Sequence, residues 1–179
     1  MIKSLNMPEN DREKFAMYVR NFVFGVEDSL VSTVGLLSGI ASAGVERGTI
    51  LLTGVILIFV EALSMAVGSY LSEFSAEEYM KHKEASFQRS FIGGVIMFFS
   101  YFLAGFIPLF PYVLAPRSIA FILSIIASLL ALFALGVVSA KTVKRPFLRS
   151  AFRMLLLGGV AIAVGVIVGG FMQAAGLAG

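Results

Sequence analysis

The sequence predicts an all-α integral membrane protein with five transmembrane helices. Of its 179 residues, 58% are hydrophobic and only 14% are charged, and the mean hydropathy is +0.92. A soluble domain carries about a quarter charged residues, and its apolar residues come in short groups. Here they form five long runs, and the basic residues are concentrated in alternate connectors between those runs. Length, composition and charge distribution therefore all predict the same fold class.

Each of the five runs is long enough to cross the bilayer as a helix, which takes about 20 apolar residues. A strand would be much shorter. Within the third run, Pro108 and Pro111 are expected to break or end the helix, because each removes a backbone donor. The predicted spans are residues 22–43, 49–71, 91–114, 118–140 and 151–175.

The basic residues predict the orientation of these spans. With five spans, the two termini lie on opposite sides, and the side with the excess of Lys and Arg is cytoplasmic. The N-terminus is therefore expected in the cytoplasm and the C-terminus outside. Residues 1–19 form a cytoplasmic segment, residues 20–179 the transmembrane domain, and residues 72–90 its one substantial connector. Twelve basic residues fall on one side and two on the other: Lys3, Arg12, Lys14, Arg20, Lys81, Lys83, Arg89, Lys141, Lys144, Arg145, Arg149 and Arg153 against Arg47 and Arg117.

Several classes of function are excluded by composition. The net charge of +3 does not indicate a nucleic-acid partner, because the basic residues lie between apolar spans rather than on one face or tail. The chain has no cysteine for a disulfide or a thiolate metal site. It has no GxSxG, HExxH or P-loop motif, and its one histidine, His82, lies between two lysines. We therefore expect neither an enzyme nor a bound cofactor.

Three acidic residues lie inside the apolar spans, namely Glu27, Asp28 and Glu61. Insertion scales put the penalty for a charged residue at the bilayer centre at about 2.5 kcal/mol or more, so such residues usually have a function. The sequence places no lysine or arginine at comparable depth, because Arg20 lies at the membrane edge. The expected partners are a proton, a polar contact on another helix, or a cation that comes and goes.

Helical spacing groups these acids with other residues on two faces. The face on the first span and the face on the second are predicted to meet in a narrow, glycine-lined gap. Carboxylates with a thioether suit a divalent transition metal such as Fe²⁺ better than Ca²⁺ or Mg²⁺. Methionine is also a common filler of helix cores, so the thioether is weaker evidence than the acids. The two faces are Asp28, Ser32, Gly35 and Gly39 on the first span, and Glu61, Ser64, Met65 and Gly68 on the second.

For the other candidate residues, the sequence allows two or more structural roles each. Glu27 is about 100° around the helix from Asp28, so it reaches the cytosolic interface or pairs with Arg20 or another helix. Two GxxxG pairs, Gly35 with Gly39 and Gly165 with Gly169, pack helices either within one subunit or between subunits. In the connector, Glu73 and Glu77 share a helical face, which indicates a carboxylate pair at the mouth of a pathway or a solvated helix.

Four motifs resemble the vacuolar iron transporter family in order and spacing. The stretch RNFVFGVEDSLVSTVGLLSGIASAG, beginning at Arg20, is similar to the family's first-span signature, and EALSMAVGSYLS, beginning at Glu61, to its second-span signature. IPLFPYVL and LLLGGVAIAVGVIVGG match later segments. The resemblance implies a homodimer of five-helix subunits that exchanges Fe²⁺, or a similar metal such as Mn²⁺, for protons at the two-fold interface. It also implies that Asp28, Glu61 and Met65 occupy the family's pathway positions.

The chain departs from that family in two respects. Ser29 stands where many members have glycine after the signature aspartate, and Glu27 is an additional acid. The long, glutamate-rich cytoplasmic domain of typical members is reduced to residues 72–90, so metal capture would depend on Glu73, Glu77, Glu78 and Glu84 or be absent.

The sequence therefore predicts a proton-coupled transporter that moves Fe²⁺ or Mn²⁺ out of the cytoplasm. Two alternatives stay open: a non-transporting membrane scaffold with the same fold, and a transporter of another cation or a small metabolite. The expected location is the plasma membrane of a prokaryote or an organellar membrane of a eukaryote.

Overall fold

The computed structural model describes residues 9–81, 86–143 and 147–177, and these residues form five α-helices. All five are long and apolar enough to cross a membrane, which confirms the predicted number of spans. The helices are α1 (Glu9–Ser42), α2 (Arg47–Lys81), α3 (Phe87–Leu114), α4 (Arg117–Val143) and α5 (Phe147–Ala174).

The helices extend beyond the apolar runs that mark them in the sequence. Residues 9–19 form the first turns of α1, and residues 72–81 continue α2 without a break. We call the end of the bundle where α1 begins the basic end, and the opposite end the far end. Six of the charged or histidine residues named above lie outside the described part of the chain: Lys3, His82, Lys83, Glu84, Lys144 and Arg145.

Helix α1 occupies the centre of the bundle and packs against all four other helices. Short connections make consecutive helices antiparallel, so α1, α3 and α5 run in the same direction. Helices α2 and α3 cover one side of α1, and α4 and α5 cover the other. The core has two apolar clusters, one formed by α1, α2, α3 and the start of α4, and the other formed by α1, α3, α4 and α5. The first contains Leu37, Ala41, Ile50, Ile58, Leu109, Tyr112 and Ala120, and the second Leu30, Ala104, Leu132, Leu135 and Met154.

Helix α3 does not break at its prolines, contrary to the sequence prediction. It runs through Pro108 and Pro111 and ends at Leu114. Each proline lacks the N–H group that would donate to the carbonyl oxygen four residues earlier, and the helix continues without those two bonds. The hydroxyl of Ser124 on α4 donates a hydrogen bond of 2.7 Å to the carbonyl oxygen of Pro108. This bond ties the proline segment to α4.

The two GxxxG pairs meet each other within the subunit. A Cβ atom added to Gly39 would lie 3.0 Å from the carbonyl oxygen of Gly165, and one added to Gly165 would overlap the carbonyl oxygen of Gly35. This backbone approach requires glycine, and it holds α1 against α5. The prediction that Gly35 and Gly39 face α2 across a gap is therefore wrong, because that part of the α1 face is covered by α5.

The two arginines at the far end cap helix C-termini. Arg47 donates hydrogen bonds of 2.6 Å to the carbonyl oxygens of Tyr112 and Val113, in the last turn of α3. Arg117 donates to the carbonyl oxygens of Gly44 and Val45, just after α1 ends. Carbonyl groups at a helix C-terminus lack intrahelical partners and carry partial negative charge, so a guanidinium stabilises them.

Candidate functional site

The structure brings Asp28 on α1 and Glu61 on α2 together. Both side chains are partly buried, and the two carboxylates are close enough to interact electrostatically. The antiparallel register of α1 and α2 causes this juxtaposition. Two turns nearer the basic end, Asn21 on α1 donates a hydrogen bond to Ser69 on α2. Seven residues farther along α1 and seven residues back along α2, the same alignment places Asp28 beside Ala62, the chain neighbour of Glu61.

A cleft of about 590 Å³ leads from the basic end toward this acid pair. Phe24 lies one turn before Asp28 on α1, and Met65 lies one turn after Glu61 on α2, so the cleft ends one helical turn, about 5.4 Å, from the acids. It is thus an approach to the carboxylates from one end of the bundle, lined by both polar and apolar side chains. Its lining residues are Arg20, Asn21, Phe24, Ser64, Met65, Gly68, Ser69, Ser72, Glu73 and Met97.

The side of the cleft formed by α2 is open to the surroundings of the subunit. Ser64 and Gly68 are exposed, and a Cβ atom added to Gly68 would meet nothing within 4 Å. Met65 is partly buried beside them. The structure therefore places three of the sequence-predicted residues on α2 along the cleft, whereas Gly35 and Gly39 lie on the α5 side of α1.

The mouth of the cleft is held by charged and polar links between helices. The amide of Asn21 is 2% exposed and donates to Ser69 on α2 at 2.9 Å and to the carbonyl oxygen of Gly93 on α3 at 3.2 Å. Together with the ion pair between Arg20 and Glu73, this side chain fixes α1 and α2 relative to each other at the basic end.

Glu73 and Glu77 do not form a free carboxylate pair at that mouth, as one reading of the sequence suggested. Glu73 pairs with Arg20 of α1. Glu77 is buried, lies 3.9 Å from Arg89 of α3, and accepts a hydrogen bond of 3.2 Å from the backbone N–H of Ser86. Each acid has its own arginine because the extension of α2 packs between α1 and α3. The two carboxylates therefore link helices in this structure.

Tyr101 of α3 also belongs to the neighbourhood of the acids, although the sequence analysis did not select it. Its side chain is fully buried, its hydroxyl forms a hydrogen bond of 2.8 Å with Ser32, and it interacts electrostatically with Asp28 and Glu61. The one signal in the sequence was a tyrosine in the middle of an apolar span, since a buried phenol usually needs a polar partner.

Glu27 lies on the opposite side of α1, in a crevice of about 220 Å³ between α1, α4 and α5. It interacts electrostatically with Arg153 of α5, which lines the same crevice together with Ser139 and Ser150. The prediction that no arginine lies at the depth of the intramembrane acids is therefore wrong for Glu27. The contact of Gly39 with Gly165 sets α5 in a register that brings Arg153 level with Glu27.

One subunit supplies the thioethers of Met65 and Met97 along the cleft, and the carboxylates of Asp28 and Glu61 one helical turn beyond its end. Within residues 9–81, 86–143 and 147–177, no group of three or more His, Cys, Asp or Glu side chains is arranged to hold a metal ion. Asp28 and Glu61 alone provide too few ligands to enclose a divalent cation, which takes four or more. The remaining ligands must come from water, other oxygen or sulfur atoms, or a second subunit.

Comparison with known proteins finds similarity to vacuolar iron transporters along most of the chain. A family model described as the VIT family matches residues 19–92 and 80–170. Vacuolar iron transporter homolog 4 of Arabidopsis thaliana is 30% identical over 86% of this chain and 83% of its own length. Homolog 3 from the same plant is 28% identical over 86% of this chain and 82% of its length. Vacuolar iron transporter 1 is 23% identical, covering 81% of this chain and 82% of its own.

Proposed function

Because the chain belongs to the VIT family, a family of membrane transporters, we propose that it carries Fe²⁺ or Mn²⁺ out of the cytoplasm in exchange for protons. The observation that carries this proposal is the register of α1 and α2. It brings Asp28 and Glu61 within electrostatic reach of each other, one helical turn beyond the end of a cleft that Met65 lines and that opens at the basic end. The protein is an integral membrane protein, so this cleft lies within the bilayer.

The chemistry of the acid pair supports exchange of a metal for protons. Two carboxylates in a medium of low dielectric repel each other unless a cation or protons neutralise them. The nearby arginines already face other acids, since Arg20 pairs with Glu73 and Arg153 faces Glu27. Metal and protons therefore compete for Asp28 and Glu61, and binding of one releases the other. The Met65 sulfur favours a transition metal over Mg²⁺.

A homodimer would complete the set of ligands. The open side of the cleft, with Ser64 and Gly68 exposed on α2, allows a second copy to approach about a two-fold axis. Such an axis brings the same residues from both copies face to face. Four carboxylates and the thioethers of both Met65 residues would then surround the pathway, which is enough to replace most of the water around a divalent ion.

The distribution of charge gives the orientation of the proposed pathway in the membrane. The basic end carries most of the Lys and Arg residues, so it is assigned to the cytoplasm. Metal would enter between Arg20 and Glu73, pass Met65 and reach the acid pair. Protons would be taken up from the opposite side, which is the outside for a plasma membrane or the lumen for an organelle.

Metal flux into liposomes tests this function directly. The purified protein is reconstituted with an imposed proton gradient, and entry of Fe²⁺ or Mn²⁺ is followed with a metal-quenched dye. We expect flux that depends on the gradient. Asp28→Asn and Glu61→Gln should each reduce the initial rate by about tenfold or more, since even outer-shell partners of a metal ligand change affinity by about 10–100-fold.

Glu46→Gln is the matched control, because it makes the same chemical change at an exposed position at the far end, just before α2. It should leave the rate unchanged. Wild-type protein that carries no metal would support the scaffold alternative instead. Flux that persists in the Asp28→Asn, Glu61→Gln double variant would place the pathway elsewhere, and a competition series in which another cation dominates would change the substrate.

A further inference from the structure

We propose that Met97 of α3 supplies a second thioether, beside that of Met65, to the metal ion as it passes from the cleft to the acid pair. Two sulfur ligands at this point would make the pathway select Fe²⁺ over Mn²⁺. This inference rests on the proposed function and concerns which of the two metals the pathway prefers.

Met97 and Met65 lie at nearly the same depth of the cleft, on different helices. Both side chains line it. A Cβ atom added to Gly94 on α3 would lie 2.9 Å from the carbonyl oxygen of Ala66 on α2, and this close approach sets the register of the two antiparallel helices. Met97 is three residues farther along α3, so it lies within about 3 Å of the level of Met65 along the bundle axis. The two methionines therefore line the cleft at one level.

The sulfur of Met97 lies at the inner end of the cleft. Gly25 on α1 has no side chain, and a Cβ atom added there would lie 3.1 Å from the Met97 sulfur. Gly25 is three residues before Asp28, which is about 4.5 Å along the helix and on the same side of α1. The sulfur is therefore next to the last step of the path from the cleft to the acids.

The Met97 side chain has the freedom that a transient ligand needs. It is 3% exposed, and its sulfur packs against α1 at Gly25. A methionine side chain has three rotatable bonds and a polarisable sulfur. Rotation about those bonds turns the sulfur from Gly25 toward the cleft without any movement of α3.

Sulfur ligands distinguish between the two candidate metals. A thioether is a soft ligand, whereas Mn²⁺ is best suited to carboxylate, carbonyl and water oxygens. Asp28 and Glu61 offer the same oxygen ligands to both ions. Fe²⁺ lies above Mn²⁺ in the general order of affinity, and each sulfur adds to that difference. The methionines, rather than the acids, would therefore set the preference for Fe²⁺.

The chain contains a matched control methionine. Met154 of α5 is also buried, but it packs in the apolar cluster with Leu30 and Leu132, on the opposite side of α1 from the cleft. Replacing methionine with leucine removes the sulfur and nearly conserves the side-chain volume, a change that protein cores usually tolerate.

The experiment measures initial rates of Fe²⁺ and Mn²⁺ entry into liposomes over a range of metal concentrations, with the iron kept reduced. We expect Met97→Leu to lower the ratio of Vmax/KM for Fe²⁺ to that for Mn²⁺ by about tenfold, the lower end of the effect of losing a group that supports a metal site. Met65→Leu should lower the ratio in the same direction, and the double variant should lower it further. Met154→Leu should keep the wild-type ratio.

Two results would overturn the inference and leave the proposed function intact. One is an unchanged ratio in Met97→Leu. The other is an equal loss of preference in Met97→Leu and Met154→Leu, which would indicate a general packing effect. Absence of flux of either metal in the wild-type protein would instead contradict the proposed function itself.

A binding measurement on the wild-type chain decides the matter if Met97→Leu does not fold. Protein labelled with ¹³C at its methionine methyl groups is titrated in detergent with Cd²⁺, a soft divalent ion. We expect two methyl signals to shift strongly, one of which is missing in Met65→Leu, while the Met154 signal stays in place. A shift of the Met65 signal alone would reject Met97 as a ligand.

Discussion

Arg47 and Arg117 stabilise helix ends at the far end of the bundle and do not line the cleft. They are the two basic residues that the span count assigns to the less basic side. Each donates to backbone carbonyl oxygens at the end of a neighbouring helix, Arg47 at α3 and Arg117 at α1. Their presence at the far end is therefore explained by helix capping. It does not weaken the orientation that the other basic residues indicate.

At the residue scale we predict that Arg117→Ala lowers the stability of the protein by about 1 kcal/mol, because a cation near a helix C-terminus contributes about this much. The change should appear as a lower midpoint of thermal unfolding in detergent. Arg149→Ala removes an equally basic, exposed side chain at the basic end and serves as the control. Equal midpoints for the two variants would show that the contacts with Gly44 and Val45 contribute nothing.

At the scale of elements, the register between helices decides which predicted residues meet. The helical period alone was enough to place Asp28 and Ser32 on one face of α1, and Glu61 and Met65 on one face of α2. The helical period does not determine which neighbouring helix packs against each part of a face.

The differences from the sequence prediction have this common origin. Gly35 and Gly39 continue the face of Asp28, yet α5 covers them, because their lack of side chains lets another glycine-rich backbone approach. Arg153 lies level with Glu27 for the same reason, and Tyr101 lies near the acids on a helix that carries no acid of its own. Such contacts depend on the packing of segments that are far apart in the chain, and this packing cannot be read from the periodicity of a single sequence.

The contact between α1 and α5 gives a prediction at this scale. Gly165→Ala should destabilise the protein by about 1–3 kcal/mol, because the added methyl group would overlap the carbonyl oxygen of Gly35 and force the helices apart. Gly159→Ala, six residues earlier on α5, adds the same group where nothing lies within 4 Å. It should be neutral or stabilising by about 0.5–1 kcal/mol, since alanine favours helix.

Thermal unfolding of both variants in the same detergent checks this pair. A Gly165→Ala variant as stable as Gly159→Ala would show that α1 and α5 do not pack closely in the membrane.

At the scale of the whole molecule, the cleft is the incomplete part of the subunit. Its walls are formed by α1 and α2, with Met97 of α3 also contributing, and the edge of α2 at Ser64 and Gly68 is exposed. The exposed surface of α2 includes the small residues Ser64 and Gly68, whereas most of the surface elsewhere on α2 consists of large apolar side chains suited to lipid. A second copy seated here would close the cleft with its own acids.

This arrangement predicts that Gly68→Cys cross-links two subunits. The natural chain has no cysteine, and a side chain at Gly68 would meet nothing within 4 Å, so the single thiol can be introduced without strain. Oxidation in membranes should yield a covalent dimer, seen as a band of doubled mass on a denaturing gel. Gly170→Cys on α5 is equally open and should stay monomeric. Cross-linking through Gly170 but not Gly68 would put the dimer contact on the wrong side for a shared pathway.

The central position of α1 also bears on how the protein is made. Its contacts with α2 and α3 involve neighbours along the chain, so the cleft walls can assemble early during synthesis. The glycine contact with α5 joins segments separated by most of the described sequence, and it cannot form until α5 has left the ribosome. During synthesis the cleft would therefore form first, and α5 would pack against the opposite side of α1 last.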